Sequence, residues 1–188
     1  MFKSLHWTKL NTYFWLGLFI SFFLDGSLSA IFGGSFFSDR IIMVSHLAFI
    51  WLLFAVFFDR VKPLPVILAA FIVGIGIDFY YSGIIGMEMF IYPLLIWANQ
   101  FVVRFYRSNI INYVMLVIVD LTLLEFYNYA MHSLLGLTHA GMPMFLAWVL
   151  GPTLLLNLVY FFIGYLPIQM GYYRILHLYR RPKKMRKA

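Results

Sequence analysis

Residues 64–86 read LPVILAAFIVGIGIDFYYSGIIG. The part up to Tyr81 is apolar except for Asp78, and Ser82-Gly83 closes it with a turn signal. Runs of about 17–25 apolar residues cross the roughly 30 Å hydrocarbon core as helices, so this stretch reads as a membrane span. An acid at the centre of such a helix costs roughly 2.5–3.5 kcal/mol, so Asp78 must face protein or a wet cavity. Ala70, Gly74 and Asp78 follow at i, i+4 and i+8, a smooth stripe on one face that ends in an acid. Gly76 adds a second small position, and Gly86 completes a tight turn into the next apolar run.

Outward from this stretch the pattern repeats. The chain has 188 residues, 63% hydrophobic and 11% charged, with mean hydropathy +0.88, far outside the soluble range. Five further apolar runs cover 12–32, 41–58, 84–103, 110–131 and 144–166. The fold class expected is therefore an all-α integral membrane protein with six transmembrane helices. Residues 1–167 form the six-helix domain, and 168–188 form a basic cytoplasmic tail. The first run follows Lys3 and Lys9 and imitates a signal peptide, with Ser27-Leu28-Ser29-Ala30 as a cleavage-like site. Its apolar stretch is too long for one, and it reads as a retained helix.

Orientation follows from Lys and Arg. Lys3, Lys9, Arg60, Lys62, Arg104, Arg107, Arg174 and the terminal cluster fall on one side, thirteen in all, against Arg40 on the other. This places both termini in the cytoplasm. The net charge of +7 is thus a topology signal rather than a nucleic-acid footprint.

Five of the seven acids lie inside apolar runs: Asp25, Asp78, Glu88, Asp120 and Glu125. No Lys or Arg lies in a run interior to pair with them. They are expected to be protonated, hydrogen-bonded to Tyr, Asn or His, or open to external water. Asp25, His46, Glu88 and His132 all fall in the outer halves of their helices and mark a candidate outer cavity. A ligand cavity and a partner-helix contact are the functional readings. Interhelical hydrogen bonds inside the bundle, about 0.6–2 kcal/mol each, account for the same residues equally well.

Glu125, Asn128, Tyr129 and His132 share a helix face. One Glu and one His seldom hold a metal, so hydrogen-bonded packing is expected there, with no metal and no cofactor. In the last run Thr153, Asn157, Tyr160 and Gly164 form a stripe behind Gly151-Pro152. Pro152 frees the carbonyl four residues earlier and is expected to kink the helix, and Asn157 needs an interhelical partner. Residues 169–179 look amphipathic, with Tyr172, Leu176 and Tyr179 on one side and Arg174, His177 and Arg181 on the other. Arg180, Arg181, Lys183, Lys184, Arg186 and Lys187 read as a basic tail on anionic lipid; a docking site for a cytoplasmic partner is the alternative. The chain has no Cys, and no Ser/His/Asp set, HExxH or phosphate loop is evident. An enzyme is not expected.

Three motifs in register carry a resemblance. Gly74-Ile-Gly-Ile-Asp78 running to Ser82-Gly-Ile-Ile-Gly86, Leu124-Glu-Phe-Tyr127 followed by Ser133-Leu-Leu135, and Pro152-Thr-Leu-Leu-Leu-Asn157 resemble the rod shape-determining MreD family, in its Gram-positive branch. The resemblance spans roughly 64–167. It implies a multi-pass protein of the bacterial plasma membrane, part of the cell-elongation machinery. Such a protein binds the bitopic MreC and helps couple MreB to the glycosyltransferase RodA and its class B penicillin-binding transpeptidase in peptidoglycan synthesis. It also implies a fold similar to the substrate-binding components of energy-coupling-factor vitamin transporters. Gly74, Asp78, Gly86, Glu125, Pro152, Thr153 and Asn157 fit the family pattern and are expected as interhelical or partner contacts. Asp25, Glu88 and Asp120 lie outside it, and Phe79-Tyr80-Tyr81 is bulkier than the pattern. The first expectation is a non-catalytic scaffold. A micronutrient-binding transporter component is the alternative, which the outer polar cluster suits.

Overall fold

The structure, a computed structural model, describes residues 2–36, 41–58, 64–105 and 109–180, the side chains of 2–8 and 176–180 excepted. In chain order the elements are α1 (Phe2–Ile31), the single turn α2 (Gly33–Phe36), α3 (Leu47–Phe58), α4 (Val66–Ile77), α5 (Glu88–Val102), α6 (Ile110–Leu134), the turn α7 (Met142–Phe145) and α8 (Gly151–Arg180). A wider π turn extends α4 over Asp78–Ser82, and another joins α7 to α8 over Leu146–Leu150. By length and composition Lys9–Ile31, Ile110–Leu134 and Met142–Ile175 suffice to cross a membrane; Leu47–Phe58 and Val66–Ser82 are shorter apolar helices.

The short α3 is the axis of the bundle. Every residue from Ala48 to Phe58 is buried, and α3 touches α1, α4, α5, α6 and α8. Such a helix is apolar all round because it meets protein all round. Its contacts are aromatic: Phe54 stacks on Phe161 at 5.1 Å, and Phe57 on Tyr113 at 4.4 Å. The outer helices reverse the soluble pattern. Phe19, Trp97, Leu155 and Ile163 are exposed, while Asp78, Thr153 and Asn157 are wholly buried. In lipid the apolar exterior is at no disadvantage, so close packing and buried hydrogen bonds hold the helices together.

Glycines set the closest approaches. A Cβ on Gly74 would stand 2.6 Å from the carbonyl oxygen of Glu88 and 2.7 Å from Cα of Met89. Only the missing side chain lets the backbones of α4 and α5 meet. Gly17 receives the indole of Trp51, whose Nε1–H donates to the Phe14 carbonyl at 3.0 Å.

Two features depart from the simplest reading of the apolar runs. The run at 41–58 is helical only from Leu47; residues 41–46 form a non-helical segment with a single bridge at Ile42. The last run does not stop near residue 166. Instead α8 continues through Pro167 to Arg180, so no break marks the 167/168 boundary. Tyr172 is fully buried there, edge-on to Tyr13 at 5.4 Å and beside Phe58 at 5.9 Å.

Candidate functional site

The polar interior is built by helix ends. A helix's first turn leaves backbone N–H groups without partners, and in hydrocarbon no water can serve them. Asp25 on α1 serves those of α3. Its Oδ1 accepts from the Leu47 N–H at 2.7 Å and its Oδ2 from the Ala48 N–H at 2.8 Å. The Ser45 hydroxyl donates to Oδ1 as well. Asp78, at the end of α4, does the same for α5. It accepts from the N–H groups of Gly86 at 2.7 Å, Glu88 at 2.8 Å and Met89 at 3.2 Å. Each acid therefore caps a later helix from outside, satisfying first-turn N–H groups. Gly86 has φ +101°, a left-handed conformation that aims its N–H at Asp78. Its carbonyl accepts from the Tyr127 hydroxyl at 3.2 Å.

The non-helical segment 41–46 poses the same problem, and α8 solves much of it. Pro152 has no N–H, so the Trp148 carbonyl has no intrahelical α-partner. That carbonyl accepts from the Ile42 N–H at 2.8 Å. Thr153 Oγ1 accepts from the Val44 N–H at 3.1 Å. Asn157 Nδ2 donates to the Val44 carbonyl at 2.7 Å, and its Oδ1 accepts from the His46 N–H at 2.8 Å. Pro152, Thr153 and Asn157 thus act as one fitting that takes the non-helical segment 41–46.

His46 leads from this segment into a cavity. Its Nε2 lies 2.7 Å from Glu125 Oε1 and its Nδ1 3.3 Å from the Tyr92 hydroxyl. Glu88 Oε1 accepts from Asn128 Nδ2 at 2.8 Å. The His132 ring donates to the Asn128 carbonyl at 2.8 Å. Asp25, His46, Glu88, Glu125 and His132 all line one cavity of about 510 Å³ at a single end of the bundle, whose other walls include Ile77, Phe145 and Val149. Among the described residues no group of three or more His, Asp or Glu side chains is placed to hold a metal ion.

The remaining expected residues fall elsewhere. Gly74 is a backbone contact beside the cavity rather than part of its lining. Asp120 pairs with Asn99 Nδ2 at 2.8 Å and does not line the cavity. Arg181, Lys183, Lys184, Arg186 and Lys187 lie outside the described residues, as does the side chain of Arg180. Sequence reasoning did not single out Ser45, Tyr92 or Asn99. Asn99 carried a signal, being an amide inside an apolar run. Tyr92, four residues after Glu88, carried the same periodic signal.

An exterior of exposed aliphatic and aromatic side chains around an interior of caps, amides and acids defines a helical membrane protein with a hydrogen-bonded core. The family model described as rod shape-determining protein MreD matches residues 10–175, and the chain belongs to the MreD family. A curated relative, the cell shape-determining protein MreD of Streptococcus pneumoniae (strain ATCC BAA-255 / R6), is 28% identical over 148 residues, covering 76% of this chain and 86% of that protein. No solved structure matches the chain.

Proposed function

We propose that the chain is a non-catalytic scaffold of the bacterial cell-elongation complex, set in the plasma membrane and binding MreC. Through that complex it would act with MreB, RodA and a class B transpeptidase to support peptidoglycan synthesis and cell shape. The observation that carries this reading is the family match over 10–175. The site chemistry agrees with it. Asp25, Asp78, Thr153 and Asn157 are occupied in joining helices, which suits a rigid framework better than a reacting centre.

The topology proposed is six spans with both termini cytoplasmic, on the thirteen-to-one basic asymmetry. The short α3 fits it only with the non-helical segment before it: twelve helical residues reach about 18 Å, and residues 41–46 lead into them without a helix. The hydrogen-bonded segment before it supplies the remaining length toward a core of roughly 30 Å. The basic residues from Arg180 onward would lie on anionic lipid.

The test is affinity purification of the tagged chain from native membranes. MreC should be retained with it; MreC lost at normal expression of both proteins sinks the reading. The cavity of about 510 Å³ favours a second reading, a substrate-binding component of an energy-coupling-factor transporter. That protein would be retained with an energising ATPase instead.

A further inference from the structure

Four buried polar atoms are left over where α5 meets α6. Glu88 Oε1 accepts from Asn128 Nδ2 at 2.8 Å, while Glu88 Oε2 and Asn128 Oδ1 are buried without a partner. Asp120 Oδ1 accepts from Asn99 Nδ2 at 2.8 Å, while Asp120 Oδ2 and Asn99 Oδ1 are likewise alone. The same arrangement thus occurs twice. Helix α5 supplies the acid to one pair and the amide to the other, and α6 does the reverse. The register is antiparallel, 88 with 128 and 99 with 120.

All four leftover atoms are oxygens. An ionised carboxylate can only accept, so with both acids charged each pair buries two acceptors that no donor meets, which native interiors rarely tolerate. One proton per pair removes both defects. Placed on the free carboxyl oxygen, it donates to the amide oxygen, while the amide N–H already donates to the other carboxyl oxygen. Turning an amide round does not meet the demand. Asn99 Nδ2 also donates to the Leu95 carbonyl at 2.8 Å, which fixes its nitrogen end. A turned Asn128 would aim its oxygen at Glu88 Oε1 and again require a proton between them.

The surroundings favour the neutral form. Facing Glu88 are Asp25 of α1, His46 before α3, Asp78 at the end of α4, and Glu125 and His132 of α6. Three of these five are acids, and His46 is already engaged by Glu125 at 2.7 Å. Asp120 makes no ion pair among the described residues. Of the helices packed on α6, α5 meets Asp120 with Asn99, α3 carries no ionisable side chain, and those of α8 as far as residue 173 are tyrosines.

We propose that α5 and α6 are held together by two proton-carrying clasps, Glu88 with Asn128 and Asp120 with Asn99, and that this seam weakens as pH rises. When a proton passes to solvent, the carboxyl-to-amide bond breaks, the amide-to-carboxylate bond remains, and a bare charge is left in the bundle. The sign follows from counting protons. The folded chain holds two that ordinary carboxyls of the unfolded chain release near about pH 4. Above that range each clasp lowers the folding constant by up to about tenfold per pH unit for as long as it keeps its proton. The inference rests on the hydrogen-bond pairing and on neither functional reading above.

The experiment uses the full chain, with infrared spectra in lipid nanodiscs near neutral pH and denaturant titrations in micelles from about pH 5 to 8. The carbonyl band of protonated carboxyl groups should be present in the unaltered chain and shift in heavy water. Glu88→Gln and Asp120→Asn should each remove part of it. The double variant keeps both clasps, an amide N–H replacing the acid O–H. Its folding constant should match that of the unaltered chain at the acid end and then fall less steeply, by up to about a hundredfold per pH unit for the two protons together. Absence of the band from the unaltered chain overturns the proposal, and so does a band left whole in either single variant. A double variant as sensitive to pH as the unaltered chain overturns it too. If the double variant does not fold, the band in the unaltered chain and in the single variants decides by the same criteria.

Discussion

At the scale of single residues, Asp25 and Asp78 show how an acid is kept inside a membrane bundle with no cation beside it. Each accepts from backbone N–H groups of a neighbouring helix, and both oxygens are used. An amide in place of Asp78 can accept through one end only and turns a donor toward an N–H at the other. Asp78→Asn is therefore expected to lower stability by about 1–3 kcal/mol, measured by denaturant titration in micelles. Gly74→Leu should reduce folded protein further, because the Glu88 carbonyl stands 2.6 Å from where its Cβ must go and a backbone cannot swing aside. Equal yields of the two variants from membranes would refute that order. Asn157→Leu keeps the volume and strips partners from the His46 N–H and the Val44 carbonyl. Its cost should match or exceed that of Asp78→Asn in the same titration.

At the scale of elements, the contact of α4 with α5 was legible because its cause is local. Ala70, Gly74 and Asp78 lie four residues apart, and a small-residue stripe ending in an acid describes a face. The non-helical segment at 41–46, set against α8, was not legible. Ile41 to Phe58 is apolar but for Ser45 and His46, and such a run gives periodicity too little contrast to tell a helix from a non-helical segment. Its one trace sat more than a hundred residues away, in Pro152-Thr153 and Asn157, whose polar atoms were visible while their target was not. His46 and Glu125 are likewise 79 residues apart, and no spacing rule joins them. The segment's dependence on proline is open to test. Pro152→Ala supplies an N–H that competes for the Trp148 carbonyl, now the acceptor for Ile42. Hydrogen exchange at the Ile42 amide should then quicken while amides in the middle of α6 keep their protection; unchanged exchange at Ile42 would contradict the role given to proline.

At the scale of the whole molecule, six spans predict that reporters at either terminus, or near Arg60 and Arg104, read cytoplasmic. Reporters near Gly33, Gly83 and Gly141 should read external, and an external C-terminus in such fusions would rule the arrangement out. The segment at 41–46 also bears on how the protein is made. Its amide and carbonyl groups are closed by Thr153 and Asn157, 109 to 113 positions later in the chain. In the six-span arrangement, while the ribosome is still short of that point, the second apolar run would lack the partners of Val44 and His46, and would need shielding until the last helix arrives. The final helix would then act as a latch on the second run. A nascent chain halted before Asn157 is expected to be degraded faster than the full chain, as a pulse-chase measurement would read.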